Sequence, residues 1–112
     1  MIILFKTTKL EKLCNDEKLM TKRHGPLRSK LLKRRLNELR AANVLEDMRK
    51  LPQIRCHELL YNRKGQLSVD LDHPYRLIFE PANNPVPRKP GGELDWTKVT
   101  EITIIGVEDT HD

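Results

Sequence analysis

The chain of 112 residues carries a formal charge of +5, with 33% of its residues charged and only five aromatic: Phe5, Tyr61, Tyr75, Phe79 and Trp96. That length supports a single domain with one modest core, built mainly from Leu, Ile and Val, and excludes a two-domain enzyme. No apolar run is long enough to span a membrane and no secretory pattern opens the sequence, so a cytoplasmic protein without a membrane partner is expected.

The opening "IILFK" is β-branched and short, and reads as a strand. Next comes "TKLE", a capping box in which the Thr8 hydroxyl and the Glu11 carboxylate would each satisfy a free backbone N–H. Leu10, Leu13, Cys14 and Met20 follow with helical spacing, which predicts a first helix over residues 9–23, stopped by "HGP". Pro26 can open a second helix. In it Leu27, Leu31, Leu32, Leu36, Leu39 and Ala42 mark an apolar face, and basic residues including Lys33, Arg34 and Arg35 fill the rest. This helix should end near "AAN", with Asn43 as a left-handed cap. Two consecutive helices with no strand between them predict an antiparallel hairpin.

After a short turn, "LEDMRKLP", the period changes. "RCHELLY" reads as a strand, "NRKG" as a turn with Gly65 supplying the awkward dihedral, and "QLSVDL" as a strand with Leu67, Val69 and Leu71 on one face. "DHP" breaks it, "YRLIFE" is another strand, and "VTEITIIGVE" is a long final one. These elements predict an α+β domain: an N-terminal strand and a helical pair on three or four antiparallel strands. Between the last two strands lies "PANNPVPRKPGGELDW", a Pro/Gly-rich loop insertion at about residues 81–97 in an otherwise undivided 1–112 domain. A connection of that length is either functional or mobile.

Residues 1–50 hold fourteen Lys and Arg against six Asp and Glu, whereas the remainder holds seven against ten. Such asymmetry favours a polyanion or an acidic partner on the first half, although a solvated helical face produces the same pattern. Cys14 and Cys56 have no metal-ligand spacing and read as structural free thiols. A Gly-rich phosphate loop, a nucleophile elbow, a Cys/His box and a paired carboxylate site are all missing, so no metal and no cofactor is implied.

The polar residues within and beside the strands need a separate explanation. Arg76 stands among Tyr75, Leu77, Ile78 and Phe79. Its guanidinium either pairs with an acid such as Glu58 or Asp70, snorkels to an edge, or lines a cleft where its fork of donors suits phosphate oxygens. An imidazole as a residue type suits proton transfer near neutral pH, which makes His57 and His111 candidates, with Asp109 nearby to orient His111. Arg63 and Lys64 occupy the hairpin tip. Two imidazoles, two arginines, a lysine and a carboxylate suffice for metal-independent RNA cleavage, in which a 2′-hydroxyl attacks its own phosphate.

The ordered segments "HEL", "RKGQ", "YRL" and a final "ED-H" resemble the HigB branch of the RelE/ParE superfamily, toxins of type II toxin–antitoxin systems. The likeness spans nearly the whole chain. It implies a RelE-like fold, an N-terminal strand and helical hairpin packed on a curved antiparallel sheet, and an endoribonuclease that cleaves mRNA on the ribosome and so inhibits translation. The implied partners are the ribosome with its mRNA, a HigA-type antitoxin, and operator DNA reached only through the antitoxin complex. Carried over position by position, His57, Arg76, Asp109 and His111 become catalytic, and Arg63 and Lys64 become the basic hairpin tip that binds RNA phosphate; Lys33, Arg34 and Arg35 of the basic helical face are expected to contact RNA as well. The Asp-Tyr-His of relatives becomes Asp109, Thr110 and His111. The superfamily also contains gyrase poisons, so a non-catalytic protein that acts by docking, or one that binds only an antitoxin or DNA, is the alternative.

Overall fold

The computed structural model describes residues 1–109. β1 (Ile2–Phe5) is the expected first strand. Thr7, one residue earlier than the predicted cap, takes extended dihedrals, and its hydroxyl accepts from the Leu10 N–H at 3.1 Å to start α1 (Thr8–Cys14). The helix expected over residues 9–23 breaks at "ND". The Asn15 amide closes α1 by donating to the Glu11 carbonyl at 3.0 Å. Asp16 Oδ1 then accepts from the N–H groups of Lys18 and Leu19, at 2.9 and 3.2 Å, to open α2 (Glu17–Ala41). An Asx residue followed by Glu is a start signal, and here it overrides the apolar periodicity that runs through it.

Inside α2, Gly25 leaves helical geometry at φ 80°, ψ 165°, and Pro26 begins the second limb. The Thr21 and Ser29 hydroxyls meet at 3.2 Å, and Lys33 pairs with Glu17. Both pairs are centred on position 25, so the limbs fold back on one another. The "HGP" stop is therefore the tip of a helical hairpin. At the far end Asn43 is not a left-handed cap. Its N–H donates to Asp47 Oδ2 at 3.0 Å, and Ala42 turns the chain into extended backbone. Two 3₁₀ turns, Leu45–Lys50 and Pro52–Ile54, bury Leu45, Met48 and Ile54 on the way back to the sheet.

The remaining strands are β2 (His57–Glu58), β3 (Leu67–Asp70), β4 (Tyr75–Pro81) and β5 (Glu101–Asp109). β2 is much shorter than "RCHELLY" suggests, because Arg55 at one end and Tyr61 at the other adopt left-handed dihedrals, φ 52° and 58°. The sheet runs β1-β5-β4-β3-β2 and is open. It is mixed, where an antiparallel sheet was expected: β1 pairs parallel to β5, a pairing that needs a long crossover, and the rest of the chain supplies it. The molecule is an α+β fold.

Strand alternation sorts the two sheet faces. Leu67, Val69, Leu77, Phe79, Ile102 and Ile104 join Met20, Leu32, Leu36 and Leu39 of the hairpin in one buried core. Pairing register puts the other face in rows: Asp70, Arg76 and Glu108 lie opposite one another, beside His57, Ser68, Ile78 and Gly106. The segment at residues 81–97 is tied down. Asn83 Oδ1 accepts from the Thr100 and Glu101 N–H groups at 3.0 and 3.2 Å, and Asp95 caps a 3₁₀ turn at Trp96–Lys98. Trp96 is buried, donates to Glu58 Oε2 at 3.0 Å and carries the Arg49 guanidinium 4.0 Å above its ring. Among the described residues no helix is long and apolar enough to cross a membrane.

Candidate active site

On the face opposite the core, the 3₁₀ turn Tyr61–Arg63 arches over the sheet and leaves a cleft of about 460 Å³. Arg55, His57, Arg63, Arg76 and Asp109 all line it. Four of these come from the sequence reading. They reach the cleft from β2, the turn after it, the start of β4 and the end of β5.

His57 is oriented by its own strand. Its Nδ1 lies 2.7 Å from the Arg55 carbonyl oxygen, which can only accept, so Nδ1 carries the proton. In the neutral ring Nε2 is then the lone-pair nitrogen, the one suited to take a proton from a substrate. The left-handed backbone of Arg55 turns its carbonyl toward the imidazole two residues on, a use for a dihedral that non-glycine residues seldom adopt.

The arginines are held by acids that fix their direction. Asp70 sits among three of them. Its carboxylate lies 3.5 Å from Arg76 Nε and 3.7 Å from Arg55 Nη1, and its carbonyl accepts from Arg35 Nε at 2.8 Å. Of the choices open to Arg76 in the sequence, the ion pair with Asp70 and the cleft wall are both realised, with 14% of its side chain exposed. Arg63 pairs with Glu108 and donates to Gln66 Oε1 at 3.2 Å, bolting the turn to β5. Strand spacing and rise put the His57 and Arg76 Cα atoms about 12 Å apart, which leaves room between their side chains for a phosphate.

Other sequence candidates lie elsewhere. Lys64 lines a separate depression beside the 81–97 arm, with Glu58, Glu80, Arg88 and Glu93. Lys33 and Arg34 share a shallow groove on α2 with Lys30 and Asn37, and Lys33 is already paired with Glu17. Arg35 is 11% exposed and joins Glu38 to the Asp70 backbone, a tie between helix and sheet. His111 lies outside the described residues. Sequence reasoning missed Arg55 and Glu108. Arg55 was within reach of the sequence, because it stands two positions before His57 in the segment "RCHELLY" that reads as a strand.

Burial pushes the Cys14 thiol up to about 11 and the Cys56 thiol up to about 12, which disqualifies both as nucleophiles near neutral pH. Among the described residues no three His, Cys, Asp or Glu side chains gather in a way that could hold a metal ion. Compared with family models, with curated proteins and with solved structures, the chain finds no match.

Proposed function

We propose that the protein is a metal-independent endoribonuclease of the ribosome-dependent toxin type, with the cleft around His57 and Arg76 as its active site. The observation that carries this reading is the convergence there of one imidazole with a defined lone pair and three guanidiniums. A helical hairpin on one sheet face and a cationic cleft on the other also suit a RelE-like arrangement. In this reading His57 Nε2 removes the proton of the 2′-hydroxyl, whose oxygen attacks the adjacent phosphorus. Arg76, Arg55 and Arg63 neutralise the extra charge that develops on the phosphoryl oxygens. The 5′ oxygen leaves with a proton, leaving a 2′,3′-cyclic phosphate and a 5′-hydroxyl end. The sequence resemblance makes His57 and His111 the acid and base in either order; with His57 as base, the proton falls to His111, which Asp109 would support. An acidic antitoxin segment over the cleft would hold the toxin inactive, and the basic helical face would meet ribosomal RNA.

His57→Asn tests the assignment with little structural disturbance, because an Asn amide can still donate to the Arg55 carbonyl but supplies no basic nitrogen. Induction of wild type in cells, followed by mapping of mRNA 5′ ends, is expected to give new ends inside translated codons. The variant should form them about 10²–10⁴-fold more slowly. Growth arrest with no new ends would instead mark a docking inhibitor, and equal cutting by His57→Asn would remove the imidazole from the mechanism.

A further inference from the structure

Four of the five aromatic residues are packed into the fold. Phe79 and Trp96 are buried, Phe5 packs against the core, and Tyr75 carries the Arg28 guanidinium 3.4 Å from its ring centroid. Tyr61 is the exception, 91% exposed at the rim of the arginine cleft, with Leu60 beside it at 69%. Among the described residues it is also one of two non-glycine residues in the left-handed region, with Arg55, and both line this cleft.

The ring is projected from a fixed base. Leu60 is extended, the Lys64 N–H donates to the Tyr61 carbonyl at 3.1 Å to close the turn, and Arg63 fastens that turn to Glu108 and Gln66. A left-handed backbone and an unpacked phenol both disfavour Tyr on folding grounds alone. A rigid, exposed aromatic next to a row of guanidiniums is, however, the arrangement that holds a single strand: cations take the phosphates and the ring takes a base.

We propose that Tyr61 is the stacking platform for a nucleobase flanking the scissile phosphate, and so a substrate-binding residue of the cleft. The assignment rests on the ribonuclease reading given above. It makes recognition next to the cut depend on the presence of a base more than on its identity, because every base offers a π-face.

The test uses purified protein and ribosomes programmed with a short mRNA whose cut position has been mapped with wild type. Single-turnover cleavage is measured for wild type, Tyr61→Ala and Tyr61→Phe, on the intact mRNA and on versions with an abasic nucleotide immediately 5′ or 3′ of the cut. At one of those positions the abasic site should slow wild type about 10- to 100-fold. Tyr61→Ala should slow the intact mRNA by the same factor and show no further loss on the abasic one, while Tyr61→Phe stays close to wild type. Wild-type speed in Tyr61→Ala, or losses that multiply at both positions, would overturn the platform and leave the nuclease standing. If wild type cuts no programmed mRNA, the ribonuclease reading itself falls, and the platform with it.

Discussion

Cys56 immediately precedes His57, yet the two neighbours have opposite chemistry. Alternation turns the thiol toward the core side, where burial raises it to about 12, and sends the imidazole to the cleft. Cys14 follows the same logic on α1, raised to about 11 from an ordinary 9.0. At pH 8 the native thiols should react with a disulfide reagent about 100- to 1000-fold more slowly than those of the unfolded chain, which stopped-flow absorbance would read. Because folding raises both values, the associated stability is complete below pH 9 and declines as pH rises toward 11–12. A melting temperature that increased across that alkaline range would contradict the burial of these groups. The residues the sequence disclosed least well are those whose role depends on a partner far along the chain. Asp70 was legible as one possible partner of Arg76, but nothing local shows that Arg35 and Arg55 gather around it as well.

The helical hairpin is joined to the sheet by Arg28 as well as by apolar packing. Arg28 grips Asp72 with Nε and Nη2, at 3.0 and 3.2 Å, and lies over Tyr75, spanning the turn between β3 and β4. Arg28→Ala should destabilise the fold by about 1–3 kcal/mol in chemical denaturation, and Arg28→Lys should recover little, since an ammonium cannot make the paired contact. An unchanged midpoint for Arg28→Ala would show that the contact contributes nothing net. At this scale the sequence was legible wherever one local signal acted alone. "HGP" marked the hairpin tip, and Leu67, Val69 and Leu71 correctly disclosed the buried side of β3 and of the residue that follows it. It was misleading where two local signals competed. Helical periodicity ran through Asn15–Asp16, where capping side chains prevailed, and the apolar "HELLY" suggested a strand that the left-handed Tyr61 ends early. The 81–97 arm read as an insertion because composition cannot show that Asn83 and Trp96 anchor it.

For the molecule as a whole, the charge imbalance between the halves of the sequence is partly internal complementarity. Basic residues of the helical half, Arg28 and Arg35, meet Asp72 and the Asp70 carbonyl of the acidic half. The surplus that can face a polyanion is therefore smaller than the sequence suggests, and Lys30 and Arg34 on α2 belong to it. Under the proposed ribosome-dependent reading, the Lys30→Glu, Arg34→Glu double variant should bind ribosomes more weakly and flatten the dependence of log affinity on log salt by about 1–2. A slope identical to wild type would take this groove out of the RNA interface. The pairing of β1 with β5 has a kinetic consequence. Ile2 lies beside Glu101, about a hundred positions away, while β2, β3 and β4 meet through short turns. Loop-closure entropy therefore delays the insertion of β5 between β4 and β1 until the hairpin and the local strands have formed. Ile104→Val should accelerate unfolding and leave the folding rate nearly unchanged in stopped-flow denaturant jumps; a slowed folding limb would reverse that order. Since Glu108 and Asp109 travel at the end of the same strand, the cleft assembles last, and under the proposed ribonuclease reading a chain still searching for its fold would carry no finished site with which to cut RNA.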